Sequence, residues 1–173
     1  MRLSEKPLIA AEELQARIAA LGETISEAYG DTPVVVVCVL KGGILFTADL
    51  VRHLRMPVEV ECIRARSYEG QESTGTVELS LMPDAPLRDR HVIVVEDILD
   101  TGRSATVIME ALQQEQPASL KLCALLDKPS RRVVPVEGDW VGFTIEDHFV
   151  VGYGLDFNER LRELPAIYVM EAE

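Results

Sequence analysis

The sequence predicts an α/β fold, with a mostly parallel sheet flanked by helices. Three observations carry that expectation. Residues 34–40 form a near-continuous β-branched run without polar alternation, the pattern of a strand buried on both faces. Segments with apolar residues at helical spacing lie between such runs and supply the crossovers that parallel strands need. The stretch Val92-Ile93-Val94-Val95 passes through an acidic pair and a Thr-Gly-x-Ser turn into the helical pattern Ala105, Ile108, Met109, Leu112.

Along the chain, Leu14, Ile18, Leu21, Ile25 and Ala28 mark an amphipathic first helix over residues 11–29. Gly30-Asp31-Thr32-Pro33 stops it. The strand at 34–40 comes next, then a helical pattern over 44–54 halted by Met56-Pro57. Residues 58–65 alternate as a strand, 67–76 read as a polar loop, 77–81 as a short strand and 83–90 as a linker. After the strand at 92–97 and its helix, residues 119–126 make a further strand, followed by a basic loop at 128–132. Short strands are expected at 141–145 and 149–151, and residues 167–170 are expected to end the sheet. Neither repeats nor low-complexity tracts interrupt the pattern, so residues 1–173 read as a single domain.

Composition narrows the function classes. The 47% apolar content suits a globular protein with a substantial core. With 17 basic against 29 acidic side chains, the net charge of −12 argues against nucleic acid as a partner. No apolar run reaches the roughly 20 residues that span a bilayer, and Met1-Arg2-Leu3-Ser4-Glu5-Lys6-Pro7 lacks the features of a secretion signal. The expectation is a cytoplasmic protein without a membrane partner. Cys38, Cys62 and Cys123 all lie in apolar runs without metal spacing and read as buried small hydrophobes. His53, His91 and His148 are isolated from one another.

The chemistry concentrates at residues 92–104. A strand, a polar turn and a helix present an anion site at the helix N-terminus. Thr101 and Ser104 offer hydroxyls, and Gly102 lets backbone N–H groups approach a phosphate. Glu96, Asp97 and Asp100 beside such a cradle repel one another unless a ligand, metal or developing cation offsets them. A single Asp there would read as a turn or cap residue; three acids with the hydroxyl turn do not. Lys41-Gly42-Gly43 follows the buried strand at 34–40 and opens a helix, so it too stands at a C-terminal sheet edge. Lys128 by itself reads as surface charge, and Phe149 and Val150 by pattern read as core.

Residues 92–104 resemble the phosphoribosyl pyrophosphate motif of the type I phosphoribosyltransferases throughout, and the wider chain is similar to the hypoxanthine-guanine branch over about residues 8–170. The resemblance implies the type I fold with a small hood formed by the C-terminal segment. It also implies transfer of phosphoribose from phosphoribosyl pyrophosphate to N9 of hypoxanthine or guanine, forming IMP or GMP and pyrophosphate. Glu96 and Asp97 would bind the ribose hydroxyls directly or through Mg²⁺, and Asp100 would be the general acid/base. Thr101, Gly102, Arg103 and Ser104 would hold the 5′-phosphate. Leu40, Lys41, Gly42 and Arg162 would hold pyrophosphate, with a non-proline cis peptide at Leu40-Lys41. Ser67 and Tyr68 would belong to a closing lid. Lys128 would read the exocyclic oxygen of a 6-oxopurine, Phe149 would stack on the base, Val150 would meet its edge, and Asp156 would lie between purine and metal-bound pyrophosphate. Members of the branch form homodimers or homotetramers. Departures are few: Ser104 replaces the commoner Thr, Arg103 fills a variable position, and Glu146 stands where Pro is usual.

The alternatives are a regulator that binds nucleotide without turnover and a phosphoacceptor signalling domain. A regulator of transcription would need a DNA-binding segment, which is not evident. A phosphoacceptor Asp would sit on a different strand from the acidic pair, leaving the hydroxyl cradle without purpose.

Overall fold

A computed structural model describes residues 1–67 and 77–171. The chain opens with β1 (Arg2–Leu3) and α1 (Ala11–Tyr29), whose Leu14, Ile18, Leu21 and Ile25 form its buried stripe. β2 (Val34–Val39) is buried at every position, and α2 (Ile44–Leu50) tightens after about two turns into a 3₁₀ turn at Val51–His53. β3 (Val58–Ser67), β4 (Val77–Leu81), β5 (His91–Leu99) and α3 (Arg103–Gln114) follow. β6 (Ser119–Asp127), β7 (Trp140–Thr144), β8 (Val150–Val151) and β9 (Tyr168–Glu171) complete the chain.

Six strands form one sheet in the order β4-β3-β2-β5-β6-β7. Its pairs are parallel except at the β4 edge, which runs antiparallel to β3. The strand periodicity of two sorts the core into two faces. Val34, Val36, Ile93 and Val95 meet α1 and α2 on one face. Val35, Val37, Val92 and Val94 meet Ala105, Ile108 and Leu112 of α3 on the other. Each such side chain fully removed from water contributes about 1.5–3 kcal/mol, which is why β2 and β5 carry no polar alternation.

After β2 the chain moves outward to β3, and after β5 it moves the other way to β6. The order therefore reverses between β2 and β5, and ligands of open α/β sheets bind at the carboxyl ends of strands at such a reversal. The 40–43 and 100–102 segments flank that crevice.

Two expectations change. Residues 167–170 do not end the main sheet: β9 pairs with β1 and β8 in a separate antiparallel three-stranded sheet. Alternation marks a strand but not its partner, and here the partners come from both ends of the chain, with Arg2 opposite Glu171 and Ile9 bridged to Ile167. Phe149 is not core: it is 47% exposed at the start of this small sheet, and only Val150 and Val151 form the strand. Cys38 and Cys123 are buried as expected, whereas Cys62 is half-buried.

Candidate functional site

β5 continues through the acidic pair to Leu99, because Ile98 and Leu99 still pair with Leu126 and Asp127 of β6. Glu96 is consequently only 7% exposed, while Asp97 and Asp100 are half-buried. The chain then turns through Asp100, Thr101 and Gly102, the last at φ 84°, into α3. The N-cap Gly102 has no side chain to cap this helix; Thr101 Oγ1 accepts a long hydrogen bond from the Arg103 N–H at 3.4 Å, and the helix N-terminus faces an incoming anion. Glu96, Asp97, Asp100, Thr101, Gly102 and Ser104 line one cavity of about 220 Å³. Arg103, in the same turn, points from an exposed position.

Burial pushes the carboxyls of both Glu96 and Asp97 upward, and the charge of Asp97 adds to the rise at Glu96. Two charged carboxylates side by side here are therefore costly, a cost that a cation or developing positive charge offsets. Asp100 is held differently: Arg131 Nε donates to its Oδ1 at 3.2 Å, and Arg132 donates to its backbone carbonyl while pairing with Asp127.

Across the crevice, the Leu40-Lys41 peptide is cis, as expected. A Cβ on Gly42 would stand 1.7 Å from Asp97 Oδ2, so only glycine lets this loop lie against the acid. From the other side a Cβ on Gly154 would stand 2.1 Å from Gly42 O. Gly42 is thus packed between the β5 acid and the segment leading to Asp156. Arg162 donates to Gly154 O at 2.7 Å and pairs with Asp156 Oδ1 at 2.9 Å. Glu159 joins the two cations: its Oε2 lies 2.7 Å from Lys41 Nζ and 3.4 Å from Arg162 Nη2.

Lys128 departs from the surface-charge reading. It is 5% exposed, because Leu99 stands opposite Asp127 and the Lys128 N–H donates to Leu99 O at 2.9 Å. No side-chain hydrogen bond or ion pair engages its ammonium among the described residues, which leaves it available to a ligand acceptor. Phe149 meets Phe157 edge-on at 5.9 Å, and Val150 is buried beneath it in β8. Ser67 ends β3 in register with Val77. Tyr68, the other expected lid residue, lies outside the described residues.

The structure brings the acidic pair, Asp100 and the hydroxyl turn into one cavity, and sets Lys41, Asp156 and Arg162 beside one another. Sequence reasoning missed Glu159, Arg131 and Arg132 as partners of these groups, and Phe157 beside Phe149. Their only sequence signal is charge or aromatic character in loops, which ordinary solvated surface shares.

Among the described residues no group of three or more His, Cys, Asp or Glu side chains could hold a metal ion. Mg²⁺ asks for less: one or two carboxylates, with substrate oxygens and water completing its shell. Asp97 on one side of Gly42 and Asp156 beyond Gly154 on the other are oxygen donors suited to that arrangement.

Residues 9–158 match the phosphoribosyl transferase domain family. The chain is 44% identical over 161 residues to hypoxanthine phosphoribosyltransferase of Haemophilus influenzae, covering 91% of this chain and 90% of that protein. It is 38% identical to hypoxanthine-guanine-xanthine phosphoribosyltransferase of Tritrichomonas foetus, covering 96% and 92%. A crystal structure of a hypoxanthine-guanine phosphoribosyltransferase from Bacillus anthracis superposes with a TM-score of 0.93 at 40% identity, covering 98% of this chain and 100% of that one.

Proposed function

Since the chain belongs to the phosphoribosyl transferase family, we propose that it transfers phosphoribose from phosphoribosyl pyrophosphate to N9 of a 6-oxopurine, hypoxanthine and guanine being the substrates. One observation carries the reading: three acids and a glycine-led helix N-terminus share a cavity at the β2–β5 strand reversal, with the 40–43 loop packed against one acid.

In this mechanism Thr101, Gly102, Arg103 and Ser104 hold the 5′-phosphate with hydroxyls, N–H groups and one cation. Leu40, Lys41, Gly42 and Arg162 hold the pyrophosphate. Asp97 and Asp156 would hold Mg²⁺ on the donor, which when bound neutralises charge on the leaving group. As the bond from the anomeric carbon to pyrophosphate lengthens, positive charge builds on the ribose. Glu96 and Asp97, held in a buried site, stabilise that charge and bind the ribose hydroxyls. N9 bonds to the anomeric carbon, and Asp100, released from Arg131, takes the purine proton. Ser67 and Tyr68 close over the centre and exclude water from the cationic carbon.

Selection of the base rests on the ammonium of the largely buried Lys128, a donor that an exocyclic oxygen accepts and an amino group does not. Phe149 stacks on the ring, and Val150 offers backbone groups to its edge. The whole chain works as a single domain in the cytoplasm and assembles as a homodimer or homotetramer. Exposed Ile44, Val60, Leu81 and Met82 are apolar surface that a second copy would cover.

The test supplies donor and Mg²⁺ with hypoxanthine, guanine, xanthine, adenine or uracil in turn, and repeats the series with Lys128→Ala. The expected result is turnover confined to 6-oxopurines, with the variant raising KM for the base about tenfold or more and leaving the donor KM unchanged, as loss of a charged hydrogen bond does. Nucleotide binding without turnover on any base would overturn the reading in favour of a regulator.

A further inference from the structure

Phe157 and Arg160 exchange both backbone hydrogen bonds, at 3.0 and 3.1 Å, which closes a two-residue turn through Asn158 and Glu159. Both turn residues have positive φ, 52° and 63°. A turn of this hand favours Asn followed by Gly, and Asn158 obeys that rule. Glu159 does not. It occupies the position where glycine costs least, and its side chain spans the two cations of the pyrophosphate side, Lys41 at 2.7 Å and Arg162 at 3.4 Å. Its N–H also donates to Asp156 Oδ2 at 2.8 Å, so the turn is anchored to the same cluster. The Lys41 hydrogen bond first, then that of Arg162, holds the Glu159 carboxyl below its usual range.

Resting on the transferase reading above, we infer that Glu159 is an intrachain stand-in for pyrophosphate: its carboxylate occupies Lys41 and Arg162 in the substrate-free site and competes with the anionic donor and product for them. A carboxylate that shares both cations with an incoming polyanion must be displaced before the polyanion makes the same contacts. The competition weakens donor binding and speeds departure of pyrophosphate. It also keeps the two cations oriented toward the site while no ligand is present, which is a use for a residue that the turn itself disfavours. This identifies Glu159 as an affinity-setting residue rather than a group that touches the reacting atoms.

The test compares parent, Glu159→Gln and Glu159→Gly proteins in steady-state turnover and in calorimetric titration with Mg²⁺-pyrophosphate. Gln keeps the side-chain length and removes the charge, whereas Gly also relieves the turn and guards against a folding defect in the first variant. Both variants are expected to lower donor KM and pyrophosphate Kd by about two- to fivefold, the scale of one exposed ion pair, with no change in purine KM. The gain should shrink as salt is raised, because exposed pairs are screened. Unchanged or weaker pyrophosphate binding in both variants would overturn the inference. Tighter pyrophosphate binding without turnover in the parent would sustain it while refuting the transferase reading.

Discussion

Glu96 and Asp97 show how one position can be set by packing and used for chemistry. β5 needs apolar residues as far as its hydrogen bonds run, yet Glu96 pairs with Ala124 of β6 inside the sheet and is buried. Burial, then the charge of Asp97, lifts its carboxyl well above the usual range. A folded-state value above the unfolded one stabilises the protein below the ordinary Glu range, and that stability is lost as pH rises through the raised value. Glu96→Gln keeps the neutral form at every pH. Its melting temperature should exceed the parent's near pH 8, and the gap should close toward about pH 4; each 1 kcal/mol of relief corresponds to roughly 2–4 °C in a chain of this size. A gap that stays constant across that range would refute the burial-driven rise at Glu96. The thiols are the inert counterpart: burial pushes Cys38 up to about 11 and Cys123 up to about 12, which leaves them as small apolar packing groups.

Between elements, α2 does more than cover the sheet. Its N-terminus follows Gly42, which touches Gly154, while Asp49 near its end accepts hydrogen bonds from the Tyr153 hydroxyl and from Gln15 of α1. The segment carrying Asp156 and Arg162 is therefore clamped to one helix at two points. Burial raises the Asp49 carboxyl, but the hydrogen bonds from Tyr153 and Gln15 and the charge of Arg52 outweigh it and leave it below the usual range. That stabilisation is present above the ordinary Asp range and is lost as pH falls through the lowered value. Asp49→Ala leaves the buried Tyr153 hydroxyl without its acceptor and should cost about 1–3 kcal/mol near pH 7. In urea unfolding the deficit should narrow near pH 3, and Asp49→Asn, which keeps an acceptor, should recover most of it. Equal deficits for both variants would place the loss in helix packing instead.

At the scale of the whole molecule, the proposed mechanism has the divalent cation arrive with the donor, held by Asp97 and Asp156 and by substrate oxygens. Chelation should stop turnover and leave the melting temperature of the substrate-free protein unchanged; a lower melting temperature would reveal a structural ion. Much of this architecture was legible in the sequence. β2 and β5 were marked by apolar runs that only a doubly covered sheet needs, and residues 96–104 were marked by acids and hydroxyls that packing does not explain. Local periodicity and residue chemistry act over a few positions, and both are written directly in the chain. Partner choice is not. That β9 joins β1 and leaves the main sheet, that Lys128 is buried and Phe149 exposed, and that Glu159 reaches Lys41 across 118 residues all depend on which surfaces meet after folding. The layered sheet and the acid-and-hydroxyl turn could be read from the chain alone, because the periods and groups that make them are local. Which cations, acids and rings share the site emerged with folding, because long-range contacts come from packing that no short stretch of residues contains.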